Sequence, residues 1–134
     1  MSANANFICY QGYAFTRSFD MQSCNGDMPL DGYGVNFFIY AGETYSYSIG
    51  SGITVDGSVA TLTIDDTTGF DLTGLETKTI TEVINQECCG TCFEGPIFDT
   101  KTGPVAECRL VLTGPDGSAL PPEIIGQFLF VPEP

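Results

Sequence analysis

Val105-Ala106-Glu107-Cys108-Arg109-Leu110-Val111-Leu112-Thr113, closed by Gly114-Pro115-Asp116-Gly117, decides the fold class. Ala106, Cys108, Leu110 and Leu112 recur at every second position, which places them on one face of an extended chain. The Gly-Pro-Asp-Gly run is turn chemistry. Ile124 to Val131 then reads as the closing strand of the chain.

Outward from that hairpin the same period of two recurs. Tyr13 to Asp20 alternates, with Tyr13, Phe15, Arg17 and Phe19 on one face and Ala14, Thr16 and Ser18 on the other. Tyr33 to Tyr40 places Tyr33, Val35, Phe37 and Ile39 together. Asn6 to Gln11 reads as a first strand and Tyr45 to Ser48 as a short one. Ile53 to Val55 and Ser58 to Ile64 flank an Asp56-Gly57 turn. Glu76 to Gln86 is β in character. Asp65 to Thr73 opens on capping residues and predicts at most one helical turn. Tyr13 and Tyr33 read as core filler, whereas Tyr40, Tyr45 and Tyr47 divide evenly between filler and contact surface. The sum is one all-β domain over residues 1–134, a sandwich or barrel of about eight strands. Residues 87–104 form an irregular, Cys-rich loop within it.

Composition agrees and excludes several functions. The apolar fraction of 43% suits a globular core, and 16 Gly and 8 Pro punctuate short segments. Seventeen acidic residues against Arg17, Lys78, Lys101 and Arg109 give a net charge of −13. Four dispersed cations cannot build a stripe that displaces counterions from a phosphate backbone, so no nucleic-acid partner is expected. An anionic membrane surface is disfavoured on the same ground. The first six residues carry neither a basic region nor an apolar stretch, so no secretory signal is expected. Runs such as Phe37 to Ala41 are far too short to span a bilayer.

The residue types that carry chemistry are thin. The chain has no His, which removes every His-dependent triad and a principal zinc ligand. Asp65, Asp66 and Asp71 lie close in sequence but read as solvated loop acids. No Asp cluster has calcium-loop spacing, and no phosphate-binding glycine motif is present. No cofactor and no catalytic residue is therefore expected. Cys89 and Cys92 have dithiol spacing, yet Phe93-Glu94-Gly95-Pro96 cannot supply the helix that would depress a reactive thiol. The favoured reading of the cysteines is at least one disulfide among Cys88, Cys89, Cys92 and Cys108, tying the loop to the sandwich. A zinc site and buried free thiols stay open beside it, and Cys108 also suits plain core.

Ile124 to Val131 is apolar on both faces, with Ile124, Phe128 and Phe130 on one and Ile125, Leu129 and Val131 on the other. Such a strand needs cover on both sides. A neighbouring subunit is the expected cover, with the 87–104 segment as the alternative.

Three stretches together resemble a family of small structural proteins of tailed-bacteriophage virions. They are Gln11 to Phe19, the turn Gly26-Asp27-Met28-Pro29-Leu30-Asp31-Gly32-Tyr33, and the final hairpin from Arg109 to Gly117 with Gly126 to Val131. Gly52 to Gly57 and a Thr-led turn at Thr67 fit in the same order. The chain departs from the family where a Leu-Thr should follow the Pro turn, and Glu87 to Pro104 looks like an insertion. The resemblance implies an immunoglobulin-like antiparallel sandwich in a virion, made in the host cytoplasm and without catalytic residues. It implies other virion proteins or symmetric copies of the chain as partners. A tail or baseplate adaptor is the leading role, with a capsid decoration protein or a host-glycan-binding module as the alternatives.

Overall fold

The computed structural model describes residues 3–20, 30, 32–84, 97–118 and 124–132. Nine strands account for its regular structure, and no helix occurs among the described residues. They are β1 (Ala3–Tyr10), β2 (Phe15–Asp20), β3 (Gly34–Tyr40), β4 (Thr44–Ile49), β5 (Gly52–Asp56), β6 (Val59–Ile64), β7 (Glu76–Ile84), β8 (Ile97–Thr113) and β9 (Ile124–Val131). The order across the sheet is β1-β9-β8-β3-β4-β5-β6-β2, with β7 paired to β8 outside that path. Pairing is antiparallel except at β1–β9 and at β4–β5. The latter join is only Ser48 with Gly52 and Ile49 with Ile53, so the sheet bends sharply there and curls nearly into a barrel. Its two terminal strands approach each other, and Phe7 of β1 sits edge-on to Phe15 and Phe19 of β2 at centroid distances of 6.4 and 5.8 Å.

The alternation in sequence explains what is buried. Val35, Phe37 and Ile39 of β3 and Ala106, Cys108, Leu110 and Leu112 of β8 all point into one core. Phenylalanines dominate it: Phe37 and Phe128 are fully buried, and Phe19 stacks on Phe37 at 5.9 Å. Aromatic pairs in tilted or edge-on contact add about 0.5–1.5 kcal/mol each beyond area burial. Phe70, from the connection between β6 and β7, plugs the end of this core against Phe130 at 4.9 Å.

That connection is not a helical turn. Asp66 Oδ1 accepts from the Thr68 backbone N–H (3.0 Å) and hydroxyl (2.7 Å), and Asp71 Oδ1 does the same with Thr73. These side-chain bonds satisfy the backbone locally and compete with helix formation. Thr67 between them is buried, and its Oγ1 receives the Gly12 N–H at 3.0 Å and donates toward the Tyr13 carbonyl at 2.9 Å. One hydroxyl thereby anchors the β1–β2 turn. Tyr13, read as filler, is instead 65% exposed, because β2 begins only at Phe15 and the alternation does not extend through the turn.

The largest departure concerns β8. Residues 97–104 are strand, not irregular loop, and pair with β7 in a long hairpin. Residues 87–96 lie outside the described residues. The strand bends near Gly103, where a Cβ would stand 2.5 Å from the Phe130 carbonyl oxygen, so no side chain fits. Beyond the bend the β7–β8 hairpin folds back over the outer face of β1 and β9. There Ile80 closes a second, smaller core with Ile8, Val105 and Leu129, and Val131 packs at its margin.

Candidate interaction face

The two-sided apolarity of β9 is met largely within the chain. Phe128 and Phe130 lie in the main core, and Leu129 is fully buried beneath the hairpin. Of the six residues expected to meet a neighbour, these three have no surface to offer. This corrects the expectation for them: Phe128 and Phe130 are covered by the main core, and Leu129 by β7 and the first half of β8. Ile124, Ile125 and Val131 remain half-buried.

The hairpin is held down mainly by polar contacts. Glu82 is a buried carboxylate that forms two bonds with the Arg17 guanidinium, at 2.7 and 2.8 Å, and accepts the Ile8 backbone N–H at 3.0 Å. Arg17 also lies over the Phe15 ring at 4.5 Å. One side chain from β7 thus fastens both terminal strands of the sheet, β1 and β2. The Asn6 amide donates to the Thr81 carbonyl at 3.2 Å, and the Tyr10 hydroxyl donates to Asp99. The sequence reading missed Glu82. A signal was present, because an arginine between Phe15 and Phe19 on an apolar face requires a carboxylate partner.

Because the hairpin covers only part of the outer sheet face, the rest stays open. Across strands the register aligns Tyr40 with Glu107, Gln127 and Asn6, and Phe38 with Arg109 and Ile125. Phe38 and Tyr40 stack at 6.2 Å, and Arg109 sits 5.8 Å from the Tyr40 ring centroid while binding Glu107 through two nitrogens, at 3.0 and 2.8 Å. Aromatics and arginine on a pre-ordered sheet face are the residue types enriched at protein contacts. Where this face runs under the hairpin lies a groove of about 480 Å³, bordered by Asn6, Lys78, Glu107 and Gln127. No protein-family model, curated protein or solved structure matches the chain. Its reading therefore rests on these residues.

Each of the four cations is paired within the chain: Arg17 with Glu82, Lys78 with Glu76 (3.5 Å), Lys101 with Asp99 (3.8 Å) and Arg109 with Glu107. The surplus carboxylates therefore set the sign of the potential around the molecule. Among the described residues no three His, Cys, Asp or Glu side chains group as a metal site. Asp65, Asp66 and Asp71 are exposed turn residues.

Cys108 is a free thiol, fully buried on the core face of β8, and Cys9 is likewise free and buried on β1. Cys88, Cys89 and Cys92 lie outside the described residues. Burial pushes both described thiols up to about 12; Arg17 opposes this weakly at Cys9, whereas Glu107 reinforces it at Cys108. Burial also raises the Tyr47 phenol to about 12. These groups are neutral in the fold and ionise more readily once unfolded, from ordinary values of 9.0 for the thiols and 10.0 for the phenol. The stability they contribute is complete below about pH 9 and is lost as pH rises toward 12. The urea midpoint is accordingly expected to fall steadily above pH 9. At pH 8, peptide mass spectrometry after alkylation should find Cys9 and Cys108 unmodified until urea unfolds the chain. Rapid labelling of either in native buffer would contradict their placement.

Proposed function

We propose that the chain is a non-enzymatic structural protein of a tailed-phage virion, an immunoglobulin-like sandwich serving as a tail or baseplate adaptor. The supporting observation is the strand order. β2, β6 and β5 form one group, β1, β9, β8, β3 and β4 the other, and only two residue pairs join them. Although the nine strands form one continuous sheet, that division supports the reading as an immunoglobulin-like sandwich, with the last two strands beside the third. The β7–β8 hairpin is then an addition laid on one outer face, and its second arm from Ile97 to Pro104 falls within the stretch, Glu87 to Pro104, that looks like an insertion against the virion family.

In this reading the open part of the β3–β8–β9 face, with Phe38, Tyr40, Arg109 and Ile125, is where a neighbouring virion protein docks. The fold itself does not dictate the role; the partly exposed aromatic and cationic row favours contact over catalysis.

Quantitative mass spectrometry of gradient-purified particles, and of tails separated from capsids, tests the proposal. The chain should be present in intact particles and enriched with the tail fraction at a fixed copy number. Enrichment with capsids would assign it to decoration instead. Absence from particles, despite abundance in the lysate, would overturn the virion reading.

A further inference from the structure

We propose that the groove between β7 and the β1–β9–β8 face receives an extended, basic polypeptide segment of a neighbouring protein. The proposal names a ligand class for the docking face above, and so rests on that reading.

The groove has unspent hydrogen-bonding capacity. Asn6, Gln127 and Glu107 stand opposite one another on β1, β9 and β8. Adjacent strands lie about 4.8 Å apart, so the three groups span roughly 10 Å. The Gln127 amide has no hydrogen-bond partner among the described residues, and Asn6 commits one N–H to Thr81, leaving its carbonyl oxygen. Glu107 binds Arg109 through Oε1 alone, leaving Oε2. A side-chain amide donates and accepts as a peptide group does, so this row complements the main chain of a bound segment laid over Ile125.

Charge decides which chain. Lys78 borders the groove but is held by Glu76; with all four cations paired and a net charge of −13, the molecule as a whole attracts a basic segment and repels a second copy of itself. A saccharide is the poorer fit. No aromatic ring lines the groove, and the nearest one in register, Tyr40, has Arg109 over it.

The test is NMR titration of the uniformly ¹⁵N-labelled full chain with three probes: acetyl-Lys-Val-Lys-Val-Lys-amide, its Glu-for-Lys counterpart, and maltopentaose. The basic peptide should shift the Asn6, Val105 and Gln127 amides saturably, and the acidic peptide should not. Gln127→Ala and Glu107→Gln should each weaken binding about three- to tenfold, one hydrogen bond's worth, with the rest of each spectrum unchanged. The proposal is overturned if the basic peptide moves only the loop acids around Asp65 and Asp66. Saturable shifts by maltopentaose alone would also overturn it, in favour of a glycan site. Failure here with the chain present in particles removes the groove assignment and leaves the virion reading intact. Peptide binding by a chain absent from particles does the reverse.

Discussion

Gly126→Ala is expected to cost on the order of 4 kcal/mol or more, enough to unfold a marginal domain. A Cβ built at Gly126 would stand 1.8 Å from the Ala5 carbonyl oxygen and 2.9 Å from its carbonyl carbon. Both atoms are backbone, so no rotamer change relieves the clash. The φ of Gly126 is not positive, so the requirement is steric and not conformational. To admit a methyl group, β1 must move off β9, which would strain the parallel pairing from Ala3 to Tyr10 and open the lid over Phe128. Gly57 supplies the contrast. It has a φ of 62° with nothing within 4 Å of a Cβ, and Gly57→Ala should cost only about 1–2 kcal/mol for the left-handed backbone. Urea titration of both variants checks the pair of values. Equal and small losses would mean that β1 does not lie against β9 as described.

Arg17→Ala is expected to lower stability by about 3–5 kcal/mol, the usual consequence of stranding one member of a buried ion pair. The Glu82 side chain is only 5% exposed, and without Arg17 its remaining contact is the Ile8 N–H. The loss should be uneven in space. Hydrogen exchange should quicken first at Ile8 and across β7, because the hairpin would lose its main fastening to the sheet while the phenylalanine core stays packed. Replacing both partners, Arg17→Met with Glu82→Met, should recover most of the loss, since two apolar side chains need no compensation. Roughly 1 kcal/mol should remain missing for the unsatisfied Ile8 N–H. A single-variant loss below 1 kcal/mol would place Glu82 in solvent and remove the fastening.

Period-two alternation is a local property, and wherever it governs burial the strands were legible. Phe15 and Phe19, the β3 triad of Val35, Phe37 and Ile39, and the β8 set from Ala106 to Leu112 all point inward as their spacing predicts. The first half of β8 was hidden because Thr100, Lys101, Thr102, Gly103 and Pro104 carry turn residues and no apolar face. Its hydroxyl pairs, Thr79 with Thr102 at 2.6 Å and Thr81 with Thr100 at 2.8 Å, form only once β7 lies beside it. The cover over Leu129 was hidden for a similar reason, since the strand declares that it needs burial but not by what. Arg17 and Glu82 are 65 positions apart, and no spacing rule joins them. The groove is less legible still, because Asn6, Lys78, Glu107 and Gln127 come from four strands whose order depends on the parallel seating of β1.

In the proposed reading, the open part of the β3–β8–β9 face meets a neighbour in the assembled particle. Hydroxyl-radical footprinting of the free chain against the chain in purified particles measures it directly, because it reads side-chain exposure. Oxidation of Phe38, Tyr40 and Ile125 should fall severalfold on assembly, while buried Leu129 should be unreactive in both states. Unchanged oxidation of Phe38 and Tyr40, with protection appearing instead at the β1–β2 turn around Tyr13, would contradict the claim.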